Sequence, residues 1–130
     1  MQKILIAEDD PGISDMYKMG FETAGFAVVQ AFDGEETLRK AGSEHPDFIV
    51  LDILMPKKEG MEVLAELKAN VSTRSTPVII LTNLGTGREE DIKIAQEFGA
   101  EDMIVKAQTI PSEVVTRVKK ILAERGMPRQ

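Results

Sequence analysis

The sequence contains no cysteine and one histidine, and it has no apolar run long enough to cross a membrane. The absence of cysteine excludes disulfides and thiolate metal sites. A basic N-terminal stretch followed by a long apolar core is also missing, so no secretory signal is predicted. We therefore expect a cytoplasmic protein that does not enter a membrane. His45 lies in a predicted turn and is interpreted as a surface residue.

The chain also lacks an excess of positive charge, since its net charge is −6. This charge argues against direct binding to a nucleic-acid backbone, which needs a concentrated basic surface. A basic stretch near the end is interpreted as favourable charge near a helix C-terminus. With 130 residues, 42% of them hydrophobic, the sequence is typical of one globular domain. Its expected partners are proteins or a cation.

Short apolar segments alternate with amphipathic ones along the whole chain. Five buried strands are predicted at residues 3–7, 27–32, 48–51, 77–81 and 103–105. A helix is predicted after each strand. The first begins at Asp10-Pro11 and ends at Gly25, and its apolar stripe contains Ile13, Met16, Tyr17 and Phe21. The fourth carries Ala95 and Phe98 on its apolar stripe.

This strict alternation predicts parallel βαβ units with right-handed crossovers and helices on both faces of the sheet. An eight-stranded barrel needs far more chain. The remaining arrangement is the flavodoxin-like doubly wound (βα)5 fold, an α/β fold with a parallel five-stranded sheet of order 2-1-3-4-5.

Four of the five predicted strands end in polar residues, and that strand order brings them together around Asp52, which ends the third strand. The others are Glu8 and Asp9 after the first strand, Thr82 after the fourth and Lys106 after the fifth. Three carboxylates beside one lysine repel one another unless a divalent cation binds. Oxygen ligands without histidine or cysteine indicate Mg²⁺.

Such a site predicts phosphoryl chemistry. Asp52 is already a nucleophile when ionised, so it can attack a phosphoryl group without a general base and hold the resulting acyl phosphate. Mg²⁺ and Lys106 would neutralise the charge on the transferring oxygens, and Thr82 would donate a hydrogen bond.

These motifs, in this order, resemble the receiver domain of response regulators. They are Glu8-Asp9-Asp10, Leu51 to Pro56 with Gly60, Leu81-Thr82 and Val105-Lys106. The resemblance implies a stand-alone receiver, similar to the chemotaxis regulators, over residues 1–124, with a short tail or linker remnant at 125–130. It implies that Asp52 accepts a phosphoryl group from a phosphohistidine in a two-component phosphorelay. It also implies that Asp9 and Asp52 bind Mg²⁺ directly, Glu8 through water, and Leu54 through its backbone carbonyl.

The resemblance further implies two protein partners. One is a sensor histidine kinase or phosphotransfer protein, and the other is a downstream target. The target would bind the face formed by the fourth helix, the fifth strand and the fifth helix. A receiver catalyses only its own phosphorylation and slow dephosphorylation, so it is not a true enzyme. The expected oligomeric state is a monomer or weak dimer.

The chain departs from the family pattern around this face. Ala107 follows Lys106 where the family usually has a proline in a cis peptide, so a trans bond and a rearranged loop are predicted. Met103 replaces the aromatic residue that normally moves together with the hydroxyl residue, here Thr82. Methionine defines no sharp pair of rotamer states, and we therefore expect a weakened switch.

Two further departures lie beside the phosphoryl pocket. Asn83 stands where the family favours a small side chain, and it either narrows the pocket or adds a hydrogen bond. Leu54 and Leu84 are apolar where some relatives place groups that help a hydrolytic water. Slow self-dephosphorylation is therefore predicted.

Three other functions compete. A haloacid-dehalogenase-type phosphatase needs a second aspartate where this chain has Leu54. A flavodoxin-like site would repel anionic FMN, because three acids follow the first strand. A pseudo-receiver that binds its partner without phosphorylation stays open as the alternative because of Asn83, Met103 and Ala107.

Overall fold

The strands and helices alternate as the sequence pattern predicts. The computed structural model describes residues 1–52, 60–82, 93, 95–106 and 109–125. The strands are β1 (Lys3–Ala7), β2 (Ala27–Ala31), β3 (Phe48–Asp52), β4 (Val78–Thr82) and β5 (Asp102–Val105). The helices are α1 (Pro11–Thr23), α2 (Gly34–Glu44), α3 (Gly60–Ala69) and the C-terminal helix (Pro111–Glu124).

All five strands are parallel and lie in the order β2-β1-β3-β4-β5, which confirms the predicted topology. β3 and β4 are buried along their whole length. This burial explains their continuous apolar runs, because a central strand of a two-sided sheet has no solvent face.

Two apolar layers cover the sheet. On the α1 face, α1 and the C-terminal helix pack against the strands through Tyr17, Phe21, Val114 and Val118. On the α3 face, α2 and α3 pack through Ala41, Val63, Leu64 and Leu67. Each strand contributes alternate residues to the two faces, as the pleat requires.

The predicted end signals of α1 are confirmed. The Asp10 side chain accepts hydrogen bonds from the backbone N–H groups of Gly12 and Ile13, and Pro11 is the first helical residue. Gly25 follows the helix with a φ of 96°, a conformation that glycine adopts without strain.

Two predictions of buried residues were wrong. Met16 is half exposed, because the buried stripe of α1 includes Tyr17 and Phe21, as predicted, but not Met16. Phe98 is also half exposed, since it follows the last helical residue before β5, whereas Ala95 is buried as predicted. The rest of the fourth predicted helix lies largely outside the described residues.

Candidate functional site

The site lies where the carboxyl ends of the central strands meet. Ala7 of β1 is paired with Leu51 of β3, so the residues that follow them, Glu8 and Asp52, are neighbours. On its other side, β3 pairs with β4: Asp52 is paired with Leu81, which precedes Thr82. Lys106 follows β5, one strand further out. The structure thus brings Glu8, Asp52 and Lys106 together, as the strand order predicts.

Strand pleating divides the polar side chains between the two faces of the sheet. Ile6 and Val50 belong to the core of the α1 face, and two residues later the chain reaches Glu8 and Asp52. Lys106 follows Ile104 by two residues, and Ile104 packs on the same face. The two buried carboxylates and the lysine therefore share the α1 face.

Thr82 lies on the other face. It follows Ile80 by two residues, and Ile80 belongs to the core of the α3 face. Met103 packs against the same core. The two residues predicted to form the switch thus lie on one face of the sheet, opposite the face on which the charged groups meet. Thr82 is completely buried, and Met103 is partly exposed.

Lys106 is the cation at the centre of the site. Its Nζ atom donates a hydrogen bond to Asp52 Oδ2 at 2.9 Å and another to Glu8 Oε1. Burial alone would lower the pKa of Lys106, but these two carboxylates outweigh that effect and raise it. Lys106 therefore stays positively charged and holds the two acidic side chains together.

Glu8 is almost completely buried, at 2% exposure. Burial raises its pKa to about 7. The hydrogen bond from Lys106 opposes this rise, whereas the neighbouring carboxyls of Asp52 and Asp9 add to it. Part of the Glu8 population therefore carries a proton near neutral pH, and a cation that binds the cluster must displace that proton.

The acidic groups form a cluster that fits a hard divalent cation. Carboxylate oxygens of Glu8, Asp9 and Asp52 all lie within 4.8 Å of one another. Glu8 and Asp52 are buried, whereas Asp9 is exposed and leaves the cluster open to solvent. Oxygen donors grouped in this way suit Mg²⁺, which keeps several of its waters. Leu54, the predicted carbonyl ligand, lies outside the described residues.

Tyr17, the only tyrosine of the chain, was not predicted as a residue of the site. It is buried in the core of the α1 face, and burial raises the pKa of its hydroxyl. The charge of Lys106 lowers this pKa, whereas those of Glu8 and Asp52 raise it. The ring belongs to the core of the same face on which these three groups meet. A hydroxyl on an otherwise apolar helical stripe was the available signal.

Comparison with known proteins identifies the family. The family model for the response regulator receiver domain matches residues 4–119. The chain belongs to the response regulator receiver family. This result agrees with the motifs in the sequence and with the strand order.

Curated relatives of this receiver are transcriptional regulators. The alkaline phosphatase synthesis transcriptional regulatory protein PhoP of Bacillus subtilis is 39% identical, over 93% of this chain and 48% of its own length. The phosphate regulon transcriptional regulatory protein PhoB of Escherichia coli is 35% identical, over 93% of this chain and 52% of its own. The chain spans about half the length of the curated relatives it matches.

Solved receivers have the same fold. The receiver domain of the Francisella response regulator 1452 superposes with a TM-score of 0.85 at 33% identity, covering 97% of this chain and 99% of that one. The Vibrio cholerae chemotaxis response regulator CheY4 superposes with a TM-score of 0.85 at 28% identity, covering 94% and 99%. None of the helices in the described ranges of this receiver combines the length and the apolar character of a membrane span.

Proposed function

We propose that Asp52 is the phosphoacceptor of this receiver. The observation that carries the proposal is the pairing of Lys106 with buried Asp52 at 2.9 Å, beside two further carboxylates at the open end of the sheet. A structural aspartate does not need a partly buried lysine and a cluster of possible metal ligands around it. A carboxylate that receives a dianionic phosphoryl group needs both, because the incoming charge must be neutralised.

The proposed step forms one bond and breaks another. An Asp52 carboxylate oxygen attacks the phosphorus of a phosphohistidine, the new O–P bond forms as the P–N bond breaks, and the leaving imidazole takes up a proton from solvent. Lys106 is placed to move its hydrogen bond from the carboxylate to a phosphoryl oxygen.

Glu8, Asp9 and Asp52 are the residues that would hold Mg²⁺. When bound, the ion would neutralise charge on the transferring oxygens. Asp9 and Asp52 are proposed as direct ligands and Glu8 as a ligand through water. The Leu54 carbonyl is retained as the proposed backbone ligand.

The proposed partners are a sensor histidine kinase or phosphotransfer protein and a downstream protein target, and the proposed location is the cytoplasm. The curated relatives are transcriptional regulators about twice as long as this chain. Because these 130 residues carry a net charge of −6, we propose that this domain acts through protein contacts rather than through direct binding to nucleic acid. Phosphorylation without enzymatic turnover, followed by slow hydrolysis, completes the proposal.

Intact mass spectrometry tests the chemistry. After incubation with Mg²⁺ and a small acyl-phosphate donor, we expect one phosphoryl adduct on the parent chain, none in EDTA and none on Asp52→Asn. Asp15→Asn is the matched control, because Asp15 is an exposed carboxylate of α1 that contacts Gln30 instead of the site. An adduct on Asp52→Asn would show that a residue other than Asp52 accepts the phosphoryl group. A folded, Mg²⁺-binding parent without an adduct would favour the pseudo-receiver.

The switch carries a second prediction. Met103 packs on the α3 face, the same face as Thr82, but a thioether cannot donate a hydrogen bond. We propose that phosphorylation only weakly moves the face formed by the fourth helix, β5 and the C-terminal helix, and that Met103→Tyr enlarges the response. The response is measured by the chemical shifts of backbone amides around β5 and the C-terminal helix before and after phosphorylation. Equal shift changes in the parent and in Met103→Tyr would contradict the weakened switch.

A further inference from the structure

Tyr17 lies in the apolar layer next to the charged groups. Only 3% of its surface is exposed, and its ring packs among the core residues of the α1 face. Glu8, Asp52 and Lys106 meet on this same face. Tyr17 therefore places a polar hydroxyl on the same face of the sheet as the proposed phosphoryl site, yet the proposed step does not use it.

Helix geometry aims the Tyr17 side chain toward the carboxyl ends of the strands, where the site lies. Side chains of an α-helix tilt toward its N-terminus, and α1 begins at the strand ends where Glu8 lies. No hydrogen bond joins this hydroxyl to another residue in the described ranges, and no buried side-chain polar atom there lacks a partner. The hydroxyl must therefore be the small part of Tyr17 that solvent reaches.

The electrostatics agree with this placement. Burial is the largest influence and raises the pKa of Tyr17, so the phenol stays neutral at physiological pH. The next influence is the positive charge of Lys106, which lowers the pKa. A neutral phenol oxygen near an ammonium group is a hydrogen-bond acceptor for it.

We propose that Tyr17 is a positioning residue for Lys106, accepting a hydrogen bond from its ammonium group when the carboxylates turn away. This inference rests on the proposed function. In this structure Glu8 and Asp52 accept hydrogen bonds from Lys106, and an ammonium group has three donors. When Asp52 receives a phosphoryl group, Lys106 loses its hydrogen bond to that carboxylate. The Tyr17 hydroxyl then restricts the ammonium to the side from which it reaches a phosphoryl oxygen.

Tyr17→Phe tests this role, because it removes one oxygen and keeps the ring. In saturating Mg²⁺ we expect phosphorylation by the small acyl-phosphate donor to slow about tenfold, the effect of losing one hydrogen bond to a charged group. The dissociation constant for Mg²⁺ should stay within about twofold, since Tyr17 contributes no ligand. In a Lys106→Met background the same substitution should cause no further slowing, because the hydroxyl then has no ammonium to position.

Phe21→Leu separates positioning from packing. Phe21 is a completely buried neighbour of Tyr17 on α1 and has no polar group. Its substitution should lower the free energy of unfolding more than Tyr17→Phe does, yet leave the phosphorylation rate within about twofold of the parent.

Two results would overturn the role of Tyr17. One is a phosphorylation rate for Tyr17→Phe within about twofold of the parent. The other is an equal slowing by Tyr17→Phe with Lys106 present and in the Lys106→Met background, because the hydroxyl would then act independently of the ammonium group. A parent chain that forms no adduct would instead overturn the proposed function itself.

Discussion

Replacing Lys106 with methionine is expected to lower the free energy of unfolding in EDTA by about 3 kcal/mol near pH 8. Lys106 is the cation that both buried carboxylates contact, Glu8 and Asp52. Methionine keeps much of the apolar stem but removes the charge. Losing one partner of a buried ion pair costs more than the pair contributes, because the remaining charge has no compensation.

Mg²⁺ distinguishes this effect from a general packing defect. Because the ion would supply the missing positive charge, millimolar Mg²⁺ should restore most of the stability lost in Lys106→Met. Urea unfolding in EDTA and in Mg²⁺ measures both values. Lys68→Met is the matched control, since Lys68 is another partly buried lysine but donates to the carbonyl oxygens of Arg74 and Thr76. The loss of unfolding free energy caused by Lys68→Met should be the same in EDTA and in Mg²⁺. An equal loss in both buffers for Lys106→Met would contradict the electrostatic interpretation.

The fold could be predicted because its signals are local. Each strand is a short apolar run, each helix begins or ends at a recognisable residue, and right-handed crossovers leave few strand orders for five such units. Asp10 and Gly25 are examples, because the residue type alone predicted the helix cap and the positive φ. Burial on a single helix was harder, and the exposed Met16 and Phe98 show that an apolar residue near the stripe is not always on it.

The candidate site could be predicted in composition but not in its internal contacts. Strand ends place Glu8, Asp52, Thr82 and Lys106 at one edge of the sheet, whatever their side chains do. The sequence did not indicate that Lys106 contacts Glu8 as well as Asp52, because partners far apart in the chain are chosen by rotamers and packing. The role of strand pleating was available from the sequence: residues two apart share a face, which separates Thr82 from the charged groups.

Other features depend on contacts that no periodicity encodes. Asp102, at the start of β5, is buried and pairs with Arg117 of the C-terminal helix. In the sequence, Arg117 is only one member of the basic stretch near the end of the chain. Whether such a residue is solvated or paired depends on how the helix rotates against the sheet. The predictions for Leu54, Asn83, Leu84 and Ala107 stay predictions, because these residues lie outside the described ranges.

Raising the pH from about 5 to about 8 in EDTA is expected to remove about 2.5 kcal/mol of stability through Glu8 alone. Its pKa is about 7 in the folded protein, mainly because of burial, against 4.5 for a free side chain. Between these values the folded protein keeps a proton that the unfolded chain has released. The contribution of Glu8 to the free energy of unfolding therefore falls as the pH rises from 4.5 to about 7, and it levels off above pH 7.

The difference in free energy of unfolding between the parent and Glu8→Gln, measured by urea unfolding at several pH values, isolates this contribution. This difference should fall with rising pH, because glutamine has no proton to lose.

Glu36→Gln is the control, because the pKa of Glu36 is shifted in the opposite direction. Burial alone would raise the pKa of Glu36, but hydrogen bonds from the Phe32 backbone and Lys40 outweigh it and lower the pKa. The contribution of Glu36 to the free energy of unfolding is therefore lost as the pH falls. A parent-minus-Glu8→Gln difference that is flat between pH 5 and 8 would show that Glu8 is already ionised at pH 5, with Lys106 outweighing the effect of burial.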